Sequence, residues 1–349
     1  MPDSMQDLIA SWDGEAVVIR YDRESGTWIF VAMHSSKLGM PIGGCRMKVY
    51  PAPADGLRDV LRLSRGMTSK LAAIQFHFGG GKSVLAIPHA MEGPEREALL
   101  RRFGRLLEHL GGAYATGIDL GTSPEDMAVI AEETRWVFQG DPEGGRSDPG
   151  PYTARGVLAC MQVVGERLFG GLAGRSVLVQ GIGGVGEPLA RLLSTRKVRL
   201  LLSDLDLDRA KRLAAEVGAE VISPGEVMTT ECDILAPCAV GGTLNPKTIP
   251  SLRCRAVVGS ANNQLENDAD ADRLAARGIV YAPDYIVNAG GAIAYALMHQ
   301  GTMDEAVINA RIHQIGDSLA AILDEARKRN ESPLHAATRR VEEVLAQAS

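Results

Sequence analysis

The stretch Ser176-Val177-Leu178-Val179-Gln180, followed at once by Gly181-Ile182-Gly183-Gly184-Val185-Gly186, limits the possible folds more than any other part of the chain. The first five residues read as a short apolar strand, and Glu187–Ser194 reads as a helix. In a G-x-G-x-x-G turn the first glycine makes the tight bend and the second lets a pyrophosphate touch the backbone. The third brings helix and strand together, so that the helix N-terminus faces the phosphates. A bare match to this spacing says little. Here it follows a strand and precedes a helix, and Asp204 stands at the end of the next strand, 23 residues beyond Gly181. That context implies a dinucleotide site. Asp204 is suited to accept hydrogen bonds from a ribose 2′-hydroxyl and to repel a 2′-phosphate, which favours NAD over NADP. Asp206 adds to the repulsion, and Arg209 and Lys211 oppose it.

The same alternation extends on both sides. A helix is expected over Thr153–Phe169 and another over Leu207–Val217, with strands near Glu220, Ile234, Ala256 and Val280. This is the pattern of a doubly wound parallel sheet. Upstream, Glu15–Tyr21 and Thr27–Met33 read as extended runs joined by Arg23-Glu24-Ser25-Gly26. A helix follows from about Ala54 to Leu71, then a short strand at Ser83–Ile87 and an amphipathic helix at Pro94–Leu110. Ser123-Pro124-Glu125-Asp126 looks like a helix start. The segment GDPEGGRSDPGP, from Gly140 to Pro151, is the expected domain junction. A chain of 349 residues suits two domains. The expected fold class is α/β with two domains, residues 1–148 and a Rossmann-type NAD-binding domain over 149–325. A helical segment, 326–349, is expected to pack back on the first domain.

Composition excludes several classes. Lys and Arg total 37 against 43 Asp and Glu, a net charge of −6 that argues against a nucleic-acid surface. Five scattered cysteines without a C-x-x-C pair read as reduced thiols and offer no metal site. The acidic N-terminus is no signal peptide, and no apolar run reaches the ~18 residues that a membrane span needs. A soluble cytoplasmic protein is expected. Glycine, 39 residues or about 11% of the chain, exceeds the usual ~7%. With no period or linker to explain them, these glycines are expected at tight turns and close approaches.

Gly79-Gly80-Gly81-Lys82-Ser83 invites a phosphate-loop reading, but position 76 is Phe where that loop needs glycine, and a strand follows where a helix is required. A different pattern fits better. Lys70 and Lys82 lie twelve residues apart around the apolar stretch Leu71–Phe78, and Asp119 follows in Tyr114-Ala115-Thr116-Gly117-Ile118-Asp119. These segments, with Gly43-Gly44-Cys45-Arg46-Met47, Met67-Thr68-Ser69-Lys70 and Thr153-Ala154-Arg155-Gly156-Val157, resemble the Glu/Leu/Phe/Val amino-acid dehydrogenase family. The glycine turn, Ala236-Pro237-Cys238-Ala239, Ala261-Asn262-Asn263 and Ala282 to Gly291 complete the resemblance in family order.

The resemblance implies reversible oxidative deamination of an L-amino acid to a 2-oxo acid and ammonia with NAD. It assigns Lys70 to the substrate carboxylate, Lys82 to activation of water, and Asp119 to proton transfer at the amino group. Gly44, Met67 and Asn262 are expected to help hold substrate, with Ile42, Gly117, Ala292 and Tyr295 around its side chain. Thr153 is expected at the nicotinamide amide. The remaining coenzyme contacts are expected from Gly181, Gly183, Gly184, Val185, Gly186, Asp204, Leu205, Cys238, Ala239, Ala261, Asn262 and Asn288. A homo-oligomer formed through the first domain, and closure of the domains over a cleft, are implied as well. Independently of the family, a carboxylate near Cα suits a reaction that builds positive charge there. A desolvated lysine beside a second ammonium group has a lowered pKa and can act as a base.

Ser69 and Cys45 depart from the family, standing where Tyr and Thr are expected. Glutamate-specific relatives carry Lys at the position of Ile42, and an apolar residue there cannot pair a side-chain carboxylate. Gly117 and Ala292 are smaller than their counterparts in leucine-specific relatives, which favours phenylalanine, while Tyr295 takes up part of the space. The alternatives are a leucine or valine enzyme and, from another class, a non-catalytic NAD-binding sensor. A folate-type or hydroxy-acid dehydrogenase would leave the Lys–Lys–Asp set unexplained, and a hydroxy-acid enzyme would need a histidine in a fitting motif. Cys238 is expected to be a packed small residue, since no base adjoins it.

Overall fold

The computed structural model describes residues 5–141 and 143–348. They form two compact units, Met1–Ser147 with Glu343–Ser349, and Asp148–Glu342.

The first unit runs α1 (Met5–Ala10), β1 (Ala16–Asp22), β2 (Thr27–Ser35), β3 (Pro41–Val49), α2 (Pro53–Ala73), β4 (Gly79–Ile87), α3 (Gly93–His109), β5 (Ala115–Ile118) and α4 (Pro124–Ala131). Its sheet has the order β1-β2-β4-β3-β5. The β1–β2 hairpin is antiparallel, and β4, β3 and β5 run parallel to one another. Alternation along the strands feeds two cores. Ile29, Val31 and Leu85 pack with Leu99, Phe103 and Leu107 of α3. Phe30, Ala32, Val84 and Ala86 face the other way, onto Leu57, Val60 and Leu61 of α2. At the start of α4, Ser123 and Asp126 exchange side-chain-to-backbone bonds in the expected N-terminal cap.

Two elements here differ from the sequence reading. The expected short strand Ser83–Ile87 is a nine-residue strand that takes in all three glycines and is buried throughout. The segment Pro41–Val49, known from the sequence only as a motif, is itself a strand. Paired glycines lower strand propensity, and only tertiary pairing overrides it.

The second unit contains α5 (Gly150–Phe169), β6 (Ser176–Gln180), α6 (Gly186–Ser194), β7 (Arg199–Ser203), α7 (Leu207–Val217), β8 (Glu220–Val221), β9 (Ile234–Pro237) and β10 (Ala256–Val257). Then come α8 (Ala269–Ala276), β11 (Val280–Tyr281), α9 (Asp284–Val287), α10 (Gly290–His299), α11 (Glu305–Arg329) and α12 (Pro333–Gln347). The six strands lie in the order β11-β10-β9-β6-β7-β8, every pair parallel. This is the doubly wound order, with its switch point between β6 and β9. Segment 326–349 is not one continuous helix: Asn330 ends α11 in a left-handed conformation. Residues up to Glu342 cluster with the second unit, and only those from Glu343 on cluster with the first.

Candidate active site

In the first unit, the register that pairs Ile42 with Gly80 and Cys45 with Ser83 brings Gly44 level with Lys82, and Gly44 in turn pairs with Gly117. Lys82 therefore sits on the central strand in one row with two glycines. Asp119 lies just past β5, and its Oδ1 accepts a hydrogen bond from Lys82 Nζ at 2.8 Å. A Cβ on Gly44 would stand 2.8 Å from Asp119 Cβ and 2.5 Å from the Ile118 carbonyl, so only glycine lets the aspartate come this close. Gly80 gives α2 the same room: a Cβ there would lie 2.0 Å from Thr68 Oγ1. Met67 and Lys70 follow in the last turns of that helix, where both are half-buried.

Asp119 is held from its other side as well. Arg46 Nε donates to Asp119 Oδ2 at 2.8 Å, while Arg46 Nη1 donates to Asp59 Oδ2 on α2 at 3.0 Å. Burial works to raise the pKa of Asp119. The charges and hydrogen bonds of Lys82 and Arg46 outweigh it and hold the carboxyl well below the usual carboxylate range. The side chains of Lys82 and Asp119 are 7% and 17% exposed, so the pair is little screened by solvent. Sequence reasoning quoted Arg46 within a motif but gave it no role. Its signal is the two-residue step from Gly44, which shares a strand face only once the segment is known to be a strand.

Ile42 is buried and pairs with Gly80 and Ala115. A Cβ on Gly117 would rest 3.5 Å from Phe138, whose ring meets Phe78 edge-on at 6.2 Å. Gly117 thus lies beside an aromatic pair; the sequence reading named Phe78 only as the end of an apolar stretch and Phe138 not at all.

In the second unit the glycine turn follows β6 at the switch point. Gly181 has a φ of +87°, the left-handed region that glycine tolerates. A Cβ on Gly186 would lie 1.9 Å from the Gly181 carbonyl oxygen. Gly183 and Gly184, by contrast, have nothing within 4 Å of where a side chain would begin, which leaves backbone open to a ligand. Val185 is half-buried between them and α6. Cys238 and Ala239 follow β9, and Ala239 abuts the turn, 2.6 Å from a Cβ placed on Gly181. Burial pushes the Cys238 thiol pKa up, which suits a packed residue better than a nucleophile.

Asp204 follows β7 and is buried, with Leu205 beside it 90% exposed. Asp204 Oδ2 accepts from the Ile182 amide at 2.8 Å, and Oδ1 accepts from Arg209 and the Asp206 amide. Burial alone would raise its pKa, but these donors hold the carboxyl below its ordinary value. The acid is thus kept charged at the edge of the turn.

Ala261 is buried and Asn262 exposed after β10, and Asn262 Oδ1 accepts from Asn288 Nδ2 at 2.8 Å. Asn288 Oδ1 is buried and has no hydrogen-bond partner among the described residues, an acceptor left unsatisfied by the chain. Thr153 Oγ1 accepts from the Gly291 amide at 3.2 Å, and a Cβ on Gly291 would fall 2.7 Å from that oxygen. Ala292 and Tyr295 lie one turn apart on α10, Ala292 half-buried and Tyr295 buried. Open glycines, a charged acid past the second strand and an orphaned amide oxygen fit a dinucleotide.

A parallel sheet of this order, with its glycine turn and terminal acid, places the second unit in the class of dinucleotide-binding oxidoreductases. The particular family follows from comparison. A model described as Glu/Leu/Phe/Val dehydrogenase, dimerisation domain, matches residues 17–136. One described as Glutamate/Leucine/Phenylalanine/Valine dehydrogenase matches residues 202–348. The leucine dehydrogenase of Geobacillus stearothermophilus is 39% identical over 338 residues, covering 96% of this chain and 91% of its own. The phenylalanine dehydrogenase of Lysinibacillus sphaericus is 38% identical over 343 residues, covering 95% and 88%. The crystal structure of L-tryptophan dehydrogenase from Nostoc punctiforme superposes with a TM-score of 0.84 at 34% identity, covering 99% of each chain. The chain belongs to the Glu/Leu/Phe/Val dehydrogenase family. It is an amino-acid dehydrogenase, an oxidoreductase acting on CH–NH2 donors, and its coenzyme is NAD.

Proposed function

We propose that the chain oxidises an L-amino acid with a bulky apolar side chain, phenylalanine before leucine or valine, to its 2-oxo acid. L-amino acid, water and NAD⁺ give 2-oxo acid, ammonium, NADH and a proton. The observation that carries this reading is the pairing of Lys82, on the central strand, with Asp119, just past β5, with Lys70 on the helix that packs on that strand. Lys70 binds the substrate carboxylate. Asp119, held ionised, balances the positive charge that grows on Cα and nitrogen, and relays the proton of the amino group. Lys82 then takes a proton from the water that attacks the iminium carbon. NAD, when bound, accepts the hydride from Cα. Gly181, Gly183, Gly184, Val185 and Gly186 would cradle its pyrophosphate, Asp204 would take the adenosine ribose, and Leu205 would lie beside it. Cys238, Ala239, Ala261, Asn288 and Thr153 would line the path to the nicotinamide.

The buried Ile42 supports an apolar substrate, because a side-chain carboxylate there would lose its hydration without a partner. Gly117 beside Phe138 supports an aromatic one. Among relatives of similar identity, the names leucine, phenylalanine and tryptophan dehydrogenase all occur, and each keeps an apolar side chain. The dimerisation-domain description and the half-exposed Ile19 and Tyr21 on edge strand β1 support a homo-oligomer. Five free cysteines support a cytoplasmic setting.

The deciding measurement is NADH formation at 340 nm across the twenty L-amino acids. Phenylalanine is expected to give the highest kcat/KM, about tenfold above leucine, the low end of the discrimination that one methylene supplies in an apolar pocket. Leucine or valine as the best substrate would overturn the aromatic reading. Bound NAD with no turnover of any amino acid would favour the sensor.

A further inference from the structure

We propose that Arg46 is a positioning residue that orients Asp119 by bridging it to Asp59 on α2. The proposal rests on the reading of Asp119 as the group that handles the substrate amine, and the experiment below separates the two.

Arg46 spends its two ends on two acids. Nε bonds Asp119 Oδ2 at 2.8 Å and Nη1 bonds Asp59 Oδ2 at 3.0 Å. Asp59 is fixed in turn by the Tyr50 hydroxyl at 2.7 Å and by Arg62 at 3.0 Å. The Arg46 and Asp59 side chains are each 14% exposed, so this is a built, largely dry array rather than a surface pair. A lone bond from Lys82 would leave the Asp119 carboxylate free to rotate about its Cβ–Cγ axis. A second donor on the opposite oxygen fixes the plane. It leaves Oδ1, the oxygen already facing Lys82, as the one presented to a substrate amine.

The bridge also reaches the substrate end of the site. Asp59 and Lys70 both lie on α2, eleven residues apart, or about three helical turns. They share a face of the helix, separated by roughly 16 Å along its axis. Arg46 thus ties the helix that carries Lys70 to the aspartate beyond β5. The charged and titratable groups facing Asp119 are Lys82 from β4, Arg46 and Cys45 from β3, Tyr50 beyond β3 and Tyr114 before β5. Of these groups, Arg46 hydrogen-bonds both Asp119 and the α2 residue Asp59.

The test compares Arg46→Gln, Arg46→Lys, Asp59→Asn and Asp119→Asn in the full-length enzyme. Each is measured for kcat, KM, the pH profile of kcat/KM, NADH binding by fluorescence, and secondary structure by circular dichroism. Arg46→Gln is expected to lower kcat about 100-fold while KM changes only a few-fold, since a small misplacement of a reacting group has that effect. The acid limb of its profile should move to higher pH, because Asp119 loses one of the two cations that keep it ionised. NADH binding should hold. Arg46→Lys should recover part of kcat, and Asp59→Asn should shift both readouts the same way by less. A wild-type kcat and profile in Arg46→Gln, with Asp119→Asn inactive, would overturn the positioning role and leave the mechanism standing. An active Asp119→Asn would instead overturn the mechanism on which the role rests. Should Arg46→Gln lose its native dichroism, Arg46→Lys and Asp59→Asn decide by the same criteria.

Discussion

At the scale of single residues, Lys82 and Asp119 were singled out by the family resemblance and by the glycines and apolar residues around them, not by their residue types alone. Lys82, after three glycines within a buried strand, and Asp119, directly past the end of β5, are costly to bury unless they meet. They do meet, at 2.8 Å. Arg46 was not legible. An arginine two residues after a glycine pair looks like any solvated residue until the strand that carries it is known. The mechanism makes a direct demand on the pair. Lys82→Ala is expected to cut NADH formation at least about 1000-fold. NADH affinity, measured by fluorescence titration, should stay within a few-fold of wild type, since the glycine turn proposed to hold the coenzyme lies in the other unit. A Lys82→Ala variant with normal turnover would refute the role given to this lysine.

At the scale of elements, the six strands of the doubly wound half and helices α2, α3, α5, α6 and α7 were read closely from the sequence, whereas α1, α8, α9 and α10 were not. Helix α7 spans Leu207–Val217 as expected, and the six strands of the second sheet fall at their expected positions. The glycine-bearing strands were harder. Gly79–Gly81 and Gly43-Gly44 carry no side chains to mark an alternating face, so propensity gave no strand signal where tertiary contact makes one. The absent side chains also set up a paired prediction. Gly44→Ala places a Cβ 2.8 Å from Asp119 Cβ, and Gly186→Ala places one 1.9 Å from the Gly181 oxygen. Each should cost at least about 2 kcal/mol of stability through overpacking, seen as a lower Tm. Their functional signatures should part: Gly44→Ala lowers kcat with NADH affinity kept, whereas Gly186→Ala weakens NADH binding. The same loss of NADH affinity in both would refute the division of labour.

At the scale of the whole molecule, ionised acids with lowered pKa values and little exposure are unevenly shared. Asp22, Asp59, Asp119, Asp126 and Asp141 belong to the first unit, Asp204 and Glu331 to the second. A carboxyl whose folded pKa is depressed stabilises the fold above the unfolded value of about 4, and this stabilisation is lost as pH falls through the folded value. Acidification below about pH 4 is therefore expected to unfold the first unit before the second. All three tryptophans, Trp12, Trp28 and Trp136, are in the first unit. Their fluorescence should change at a higher pH than the helical dichroism, which both units share. Coincident transitions would show that the units unfold together.

The first unit's sheet order, β1-β2-β4-β3-β5, has one further consequence. Strand β4 is hydrogen-bonded along both edges and covered on both faces, the placement least open to local fraying. Lys82, the proposed base, is thereby mounted on the part of its unit that lets go last. Loops and helix ends can loosen, and substrate can come and go, without moving this point of reference. Loss of the lysine's alignment then coincides with cooperative melting of the unit, so a partly melted protein that still catalyses slowly is not among the states this sheet allows.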